Sequence, residues 1–137
     1  MQKRVTSSAE ETIEVARELY HALGPDRLVC FFGDLGSGKT TFVKGFLLAA
    51  GGSQDQVTSP TFTYLHLYPE GILHFDLYRL KGVEQFLSLG FDEYLFSPGL
   101  KCIEWSERIA SILPEDAVRI TFSIQQDERR TLHIEGL

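Results

Sequence analysis

Residues 33–40 read Gly33-Asp34-Leu35-Gly36-Ser37-Gly38-Lys39-Thr40. Glycine, four residues, then Gly-Lys-Thr is the spacing of a phosphate-binding P-loop. Glycines let consecutive N–H groups turn inward around an anion, because no Cβ blocks the tight path or the approach of phosphate oxygens. A helix beginning inside the motif aims its unsatisfied N–H groups and its positive dipole end at the same point. Lys39 adds a full charge within reach of β- and γ-phosphates, and Thr40 adds a hydroxyl for Mg²⁺. The loop Gly36-Ser37-Gly38 with Lys39 and Thr40 is therefore the expected nucleotide-phosphate site. A glycine-rich turn that binds nothing can carry the same letters, so the context has to decide. Here Leu28-Val29-Cys30-Phe31-Phe32 precedes the motif, as a buried strand would, and residues 42–48 continue it as a helix.

A phosphate cradle alone only binds; hydrolysis also needs acids that hold the metal and its waters. Asp76 follows the apolar run at 72–75 and Glu104 the run at 100–103. Both are expected to emerge at strand ends, where α/β sheets bind ligands. The plainer alternative for Asp76 is a surface salt bridge with Arg79. Trp105 fits either the core or the wall of the site, since alternate strand residues face opposite sides. The chain has no Asn-Lys-x-Asp segment of the kind that reads guanine, which favours adenine. No residue stands out as a general base, as suits phosphoryl transfer, where positioning and charge dominate.

The elements that must position these groups follow in order. Residues 5–8 suit a short edge strand, and Ser7 or Ser8 suits the cap of a helix whose first turn carries Glu10 and Glu11. Gly24-Pro25-Asp26 turns that helix into the P-loop strand. The P-loop helix should run to about Ala50 and stop at Gly51-Gly52. Pro60 breaks regular structure early in 57–68, and the later part alternates like a strand. A turn at 69–71 leads to a strand over 72–78. A short helix is expected at 83–89, a strand over 100–105, a helix over 106–113, and a closing hairpin of 118–124 with 130–134. The expected fold is α/β: a single P-loop NTPase-type domain over residues 1–137, with a mixed parallel and antiparallel sheet flanked by helices.

Composition narrows the function. With 13 Lys and Arg against 19 Asp and Glu, the net charge is −6, which argues against a wide nucleic-acid footprint. Cys30 and Cys102 lack metal-ligand spacing and read as small buried hydrophobes. His21, His66, His74 and His133 show no metal spacing either and read as structural or surface residues. Met1-Gln2-Lys3-Arg4 is followed by polar residues, and nothing approaches the ~18 apolar residues of a membrane span. The expectation is a protein of a reducing cytoplasm.

The stretches GDLGSGKTTFVKGF, SPTFTY, HFDLYRL and IEWSERI, in this order and spacing, resemble the TsaE family (also YjeE). These are small bacterial ATPases of threonylcarbamoyladenosine formation on tRNA. The resemblance covers residues 8–130. It implies that Lys39, Thr40 and Thr41 bind ATP and Mg²⁺. Asp76, within His74-Phe75-Asp76-Leu77-Tyr78-Arg79, is implied to be the Walker-B-like acid and Glu104 the Mg²⁺-associated glutamate. Ser59-Pro60-Thr61-Phe62-Thr63 resembles a switch-like loop that orders with nucleotide. Nucleotide contacts are also implied from Ser7-Ser8-Ala9-Glu10-Glu11-Thr12, Ala9 included, and from an arginine of the last hairpin. Arg130 matches that arginine best, with Arg129 as its neighbour. The implied partners are the TsaD–TsaB heterodimer and, through it, tRNA.

Three function classes fit these residues. The first is an ATPase, weak alone and stimulated by its partner. A second is a nucleotide-gated binding module in which hydrolysis is incidental. A small-molecule kinase is the third, and it is disfavoured by the short chain and few arginines, which leave little for a lid.

Overall fold

A computed structural model of the protein describes residues 2–33, 38–57 and 64–137. Among the described residues seven strands form one sheet: β1 (Gln2–Thr6), β2 (Leu28–Gly33), β3 (Leu65–Tyr68), β4 (Ile72–Asp76), β5 (Leu100–Glu104), β6 (Val118–Ile124) and β7 (Arg130–Glu135). Their order is β1-β7-β6-β2-β5-β4-β3. The central four, β6, β2, β5 and β4, run parallel. Antiparallel partners close both sides, β7 and then β1 on one and β3 on the other.

This order explains the apolar run of β2. A central parallel strand is covered on both faces, so it reads as continuous hydrophobics. Val29 and Phe31 enter one core, with Phe42, Val43, Phe46 and Leu47 of α2 (Lys39–Ala49) and Val15, Ala16 and Leu19 of α1 (Ala9–Ala22). Leu28 and Cys30 enter the other, with Phe86 of α3 (Val83–Ser88), Leu95 of α4 (Phe91–Leu95) and Ile109 of a 3₁₀ segment, Ser106–Ile112. Cys30 and Cys102 are free and buried, and burial pushes the Cys30 thiol up to about 11.

The topology places the described candidate site residues at one sheet edge. The C-terminal ends of β2, β4, β5, β6 and β1 all point there, as does the start of β7. β1 ends at Thr6 because Ser8 is the cap of α1: its hydroxyl accepts the Glu11 N–H at 3.1 Å, and the Glu11 carboxylate accepts the Ser7 N–H. Thr12 Oγ1 donates to the Ser8 carbonyl at 3.2 Å, so the 2.7 Å contact with Thr6 Oγ1 must use the Thr6 proton. These bonds tie the edge strand to the helix start.

Three expectations are corrected and one element is added. The edge strand spans Gln2–Thr6, not residues 5–8. β4 stops at Asp76, not residue 78, because the Asp76 carboxylate accepts the Tyr78 N–H at 3.0 Å and turns the chain. Residues 106–112 form a 3₁₀ segment interrupted at Ile109, not a regular helix. α4 is additional: at five residues it is too short to show a period, and it starts at Gly90 in the left-handed region. The proline-containing segment 59–63, with Gly36 and Ser37, lies outside the described residues.

Two glycines permit close approaches. At Gly33, φ is +123° and a Cβ would sit 2.2 Å from the Phe122 carbonyl oxygen. At Gly45, mid-α2, a Cβ would sit 2.5 Å from the Ala16 Cβ and 2.7 Å from the Ile13 carbonyl oxygen of α1. In an exposed helix Gly→Ala gains about 1 kcal/mol. Here the clash with backbone opposes that gain, and overpacking costs roughly 1–3 kcal/mol. Gly45→Ala is therefore expected to lower the urea midpoint; a raised midpoint would show that α1 and α2 do not pack this closely.

Candidate functional site

An open cleft of about 960 Å³ lies along this edge. Ser7, Ser8, Ala9 and Thr12 line it from the start of α1, and Gly38, Lys39, Thr40 and Thr41 from the start of α2. Asp76 and Glu104 come from the ends of β4 and β5, followed by Tyr78, Arg79 and Trp105. Ile124, Glu128 and Arg130 complete it from the β6–β7 hairpin.

The register sets the two acids side by side: Asp76 pairs with Glu104 across β4 and β5. Side chains two residues apart share a strand face. Ile72 and Cys102 lie in the core under α1 and α2, so His74, Asp76 and Glu104 face that way too. The first turn of α2 hangs over them. Thr40 Oγ1 donates to Glu104, 3.0 Å from Oε1 and 3.2 Å from Oε2. Glu104 is only 5% exposed. A buried carboxylate needs partners, and a second one comes from below: His74 Nε2 lies 2.5 Å from Oε2.

Lys39 is 4% exposed. Its ammonium donates to the Gly33 carbonyl at 2.9 Å and lies 4.3 Å from the centre of the Trp105 ring. The Arg108 guanidinium lies 5.6 Å from the same ring, and the Tyr78 ring 5.0 Å. Trp105 reaches Lys39 because it is no longer strand. Its backbone is left-handed, φ 62° and ψ 43°, which carries the ring out of the β5 alternation. It therefore serves both roles open in the sequence, packing against one core and walling the cleft.

The two hairpin arginines differ. Arg130 lines the cleft and donates to the Glu128 carbonyl. Arg129 is exposed and its Nε donates to Asp127 at 2.6 Å. Geometry thus brings together Ala9, Gly38, Lys39, Thr40, Thr41, Asp76, Glu104 and Arg130. It adds His74, which spacing for a metal does not reveal. The available signal is its place two residues before Asp76, on the same strand face.

The family model for "Threonylcarbamoyl adenosine biosynthesis protein TsaE" matches residues 6–132. The chain belongs to the TsaE family. The tRNA threonylcarbamoyladenosine biosynthesis protein TsaE of Treponema pallidum is 38% identical over 132 residues, spanning 95% of this chain and 97% of that protein. The protein of the same name from Bacillus subtilis is 35% identical over 130 residues, spanning 93% and 80%. The crystal structure of Bacillus subtilis YdiB matches with a TM-score of 0.77 at 32% identity, covering 96% of this chain and 82% of that one. The expected fold, a P-loop NTPase-type α/β sheet of mixed direction, holds for this TsaE-family chain.

Within this TsaE-family site, burial raises the Asp76 carboxyl above its ordinary 3.8. The Tyr78 N–H opposes the shift, Glu104 adds to it, and His74 and Lys39 oppose it. The folded protein thus holds this proton more tightly than the unfolded chain. The resulting stability is present below pH 3.8 and is lost as pH rises through the raised value. Asp76→Asn keeps the acceptor for Tyr78 and cannot ionise. Relative to wild type, it is expected to gain stability in urea denaturation between pH 4 and pH 7. A variant that instead loses ground at pH 7 would place Asp76 in a favourable ion pair.

Proposed function

We propose that the chain is a Mg²⁺-dependent ATPase of tRNA threonylcarbamoyladenosine biosynthesis, acting as one P-loop domain in the cytoplasm together with the TsaD–TsaB heterodimer. The observation that carries this reading is the Thr40–Glu104 hydrogen bond, at the floor of a cleft that also holds Lys39 and Asp76. The names of the relatives support the pathway. The partners follow from the family resemblance.

The residues fit Mg²⁺. The metal-ligating side chains that line the cleft beside Lys39 all offer oxygen, namely the Thr40 hydroxyl and the Asp76 and Glu104 carboxylates, which suits a hard cation. Among the described residues no three His, Cys, Asp or Glu cluster as a metal cage. Nucleotide-borne Mg²⁺ needs none, since it keeps waters and takes one or two carboxylates plus phosphates. When bound, Mg²⁺ neutralises charge on the β- and γ-phosphate oxygens.

The chain's own groups do the rest. Glu104 accepts the hydrogen bond that the Thr40 hydroxyl donates, which leaves that oxygen's lone pairs for the cation. Lys39 exchanges the Gly33 carbonyl for phosphate oxygens. Asp76 supplies the second carboxylate, in the Walker-B-like role, and Arg130 adds charge from the opposite wall. The start of α1 at Ala9 and the start of α2 at Gly38 and Thr41 offer backbone N–H groups to the nucleotide, with Gly36 and Ser37 expected to continue that cradle.

Adding a well-placed charge accelerates phosphoryl transfer by roughly 10³–10⁵. Turnover is therefore expected to be slow alone and faster with TsaD–TsaB. At a net charge of −6 the RNA is held mainly by the partners. Mg·ATP is expected to raise the melting temperature more than Mg·GTP at equal concentration; equal shifts would remove the adenine assignment. Lys39→Ala is expected to weaken Mg·ATP binding at least about tenfold, ~1.4 kcal/mol, and to abolish repeated rounds of tRNA modification. Full multiple-turnover modification by that variant would leave a nucleotide-gated binding module instead of an ATPase cycle.

A further inference from the structure

We propose that His74 is a positioning residue: it fixes the Glu104 carboxylate from inside the sheet so that Glu104 meets Thr40 and leaves the hydroxyl oxygen turned to the cleft. The role in metal binding rests on the function proposed above; the geometry of the His74–Glu104 pair does not.

His74 is fully buried in the middle of β4. Its register partner on β5 is Cys102, which sets Glu104 one same-face position further on, within reach of the ring. On the other side, His66 of β3 pairs with His74, and their rings lie 6.1 Å apart. The Tyr68 ring stacks at 6.4 Å. The imidazole is therefore walled on both sides, and its Nε2 end points at Glu104 Oε2, 2.5 Å away.

The hydrogen-bond inventory fixes what that contact is. An ionised carboxylate only accepts. A neutral imidazole carries one N–H and one bare nitrogen. With the proton on Nδ1, lone pairs would face each other across the contact. Among the described residues nothing bonds Nδ1, so that tautomer would also bury an unmatched donor. The proton thus belongs on Nε2, donated to Glu104. Glu104 Oε2 then has His74 on one side and Thr40 at 3.2 Å on the other, while Oε1 receives Thr40 at 3.0 Å. Two donors from different elements, a strand interior and a helix start, hold one carboxylate.

Removing a residue that orients a metal ligand typically costs 10–100-fold in metal affinity. A core filler of similar bulk would not have this effect. The discriminating pair is His74→Leu, which fills the space without a donor, and His74→Gln, which returns an N–H near the position of Nε2. Metal affinity would be read by Mn²⁺ spin resonance with a non-hydrolysable ATP analogue. Nucleotide affinity would be read separately in excess chelator. His74→Leu is expected to weaken metal binding about 10–100-fold while changing chelator-treated nucleotide binding less than about twofold. His74→Gln is expected to recover most of the loss. Equal losses in both variants, or unchanged metal affinity in His74→Leu, would reduce His74 to packing. The wild-type protein without metal or nucleotide gives an independent reading by imidazole ¹⁵N NMR. Protonation of His74 at Nε2 is expected. The Nδ1 tautomer would overturn the proposal even if every variant failed to fold. Absent nucleotide binding by wild type would sink the proposed function and leave this tautomer reading to decide the His74–Glu104 pair.

Discussion

The hydrogen bond between Thr40 and Glu104 joins the start of α2 to the end of β5, two elements 64 residues apart in sequence. It constrains much around it. Glu104 can face α2 only if β5 lies beside β2 in the observed register, which puts Val29 opposite Cys102. Thr40 can reach down only if α2 begins directly above the sheet edge. Phe42 secures that height: its ring packs edge-on against Phe31 of β2 and Phe122 of β6 at 5.7 and 5.6 Å. Such aromatic contacts add about 0.5–1.5 kcal/mol each beyond area burial. The apolar cluster under the P-loop helix thus fixes a polar contact at its end.

The sheet order solves a second problem. Charged and polar groups are expensive to bury unless paired, yet Lys39, His74 and Glu104 are all buried. Each has a partner at the same sheet edge: Lys39 has the Gly33 carbonyl and the Trp105 ring, and Glu104 has Thr40 and His74. The left-handed backbone at Trp105 makes the first arrangement possible, at a local cost that a non-glycine residue normally avoids. The expectation that RNA is held by partners rests on the net charge of −6 and not on the cleft.

Much of this was legible in the sequence, for identifiable reasons. The P-loop spacing names its own chemistry, and apolar runs ending in Asp76 and Glu104 mark strand ends at a ligand edge. Hairpin signals on both sides of the parallel core gave the mixed sheet. What was not legible depended on long-range geometry. The contact of His74 with Glu104 carries no local signal because the two are 30 residues apart on different strands. Trp105 could not be assigned because strand alternation ceases one residue before it. Arg129 and Arg130 are adjacent letters, and only the turn at Glu128, with φ 68°, turns one to the cleft while Asp127 takes the other. The short α4 and the interrupted 3₁₀ segment fall below the length at which periodicity speaks.

The central claim is that Thr40 and Glu104 act as one unit toward the metal–nucleotide complex. A double-mutant cycle on Mg²⁺-dependent binding of a non-hydrolysable ATP analogue, by titration calorimetry, tests it most directly. Thr40→Ala and Glu104→Gln should each lose most of the Mg²⁺-dependent affinity, and the double variant should lose little more than either alone. Losses that simply add would contradict the claim, because they would mean that the two side chains serve the ligand independently.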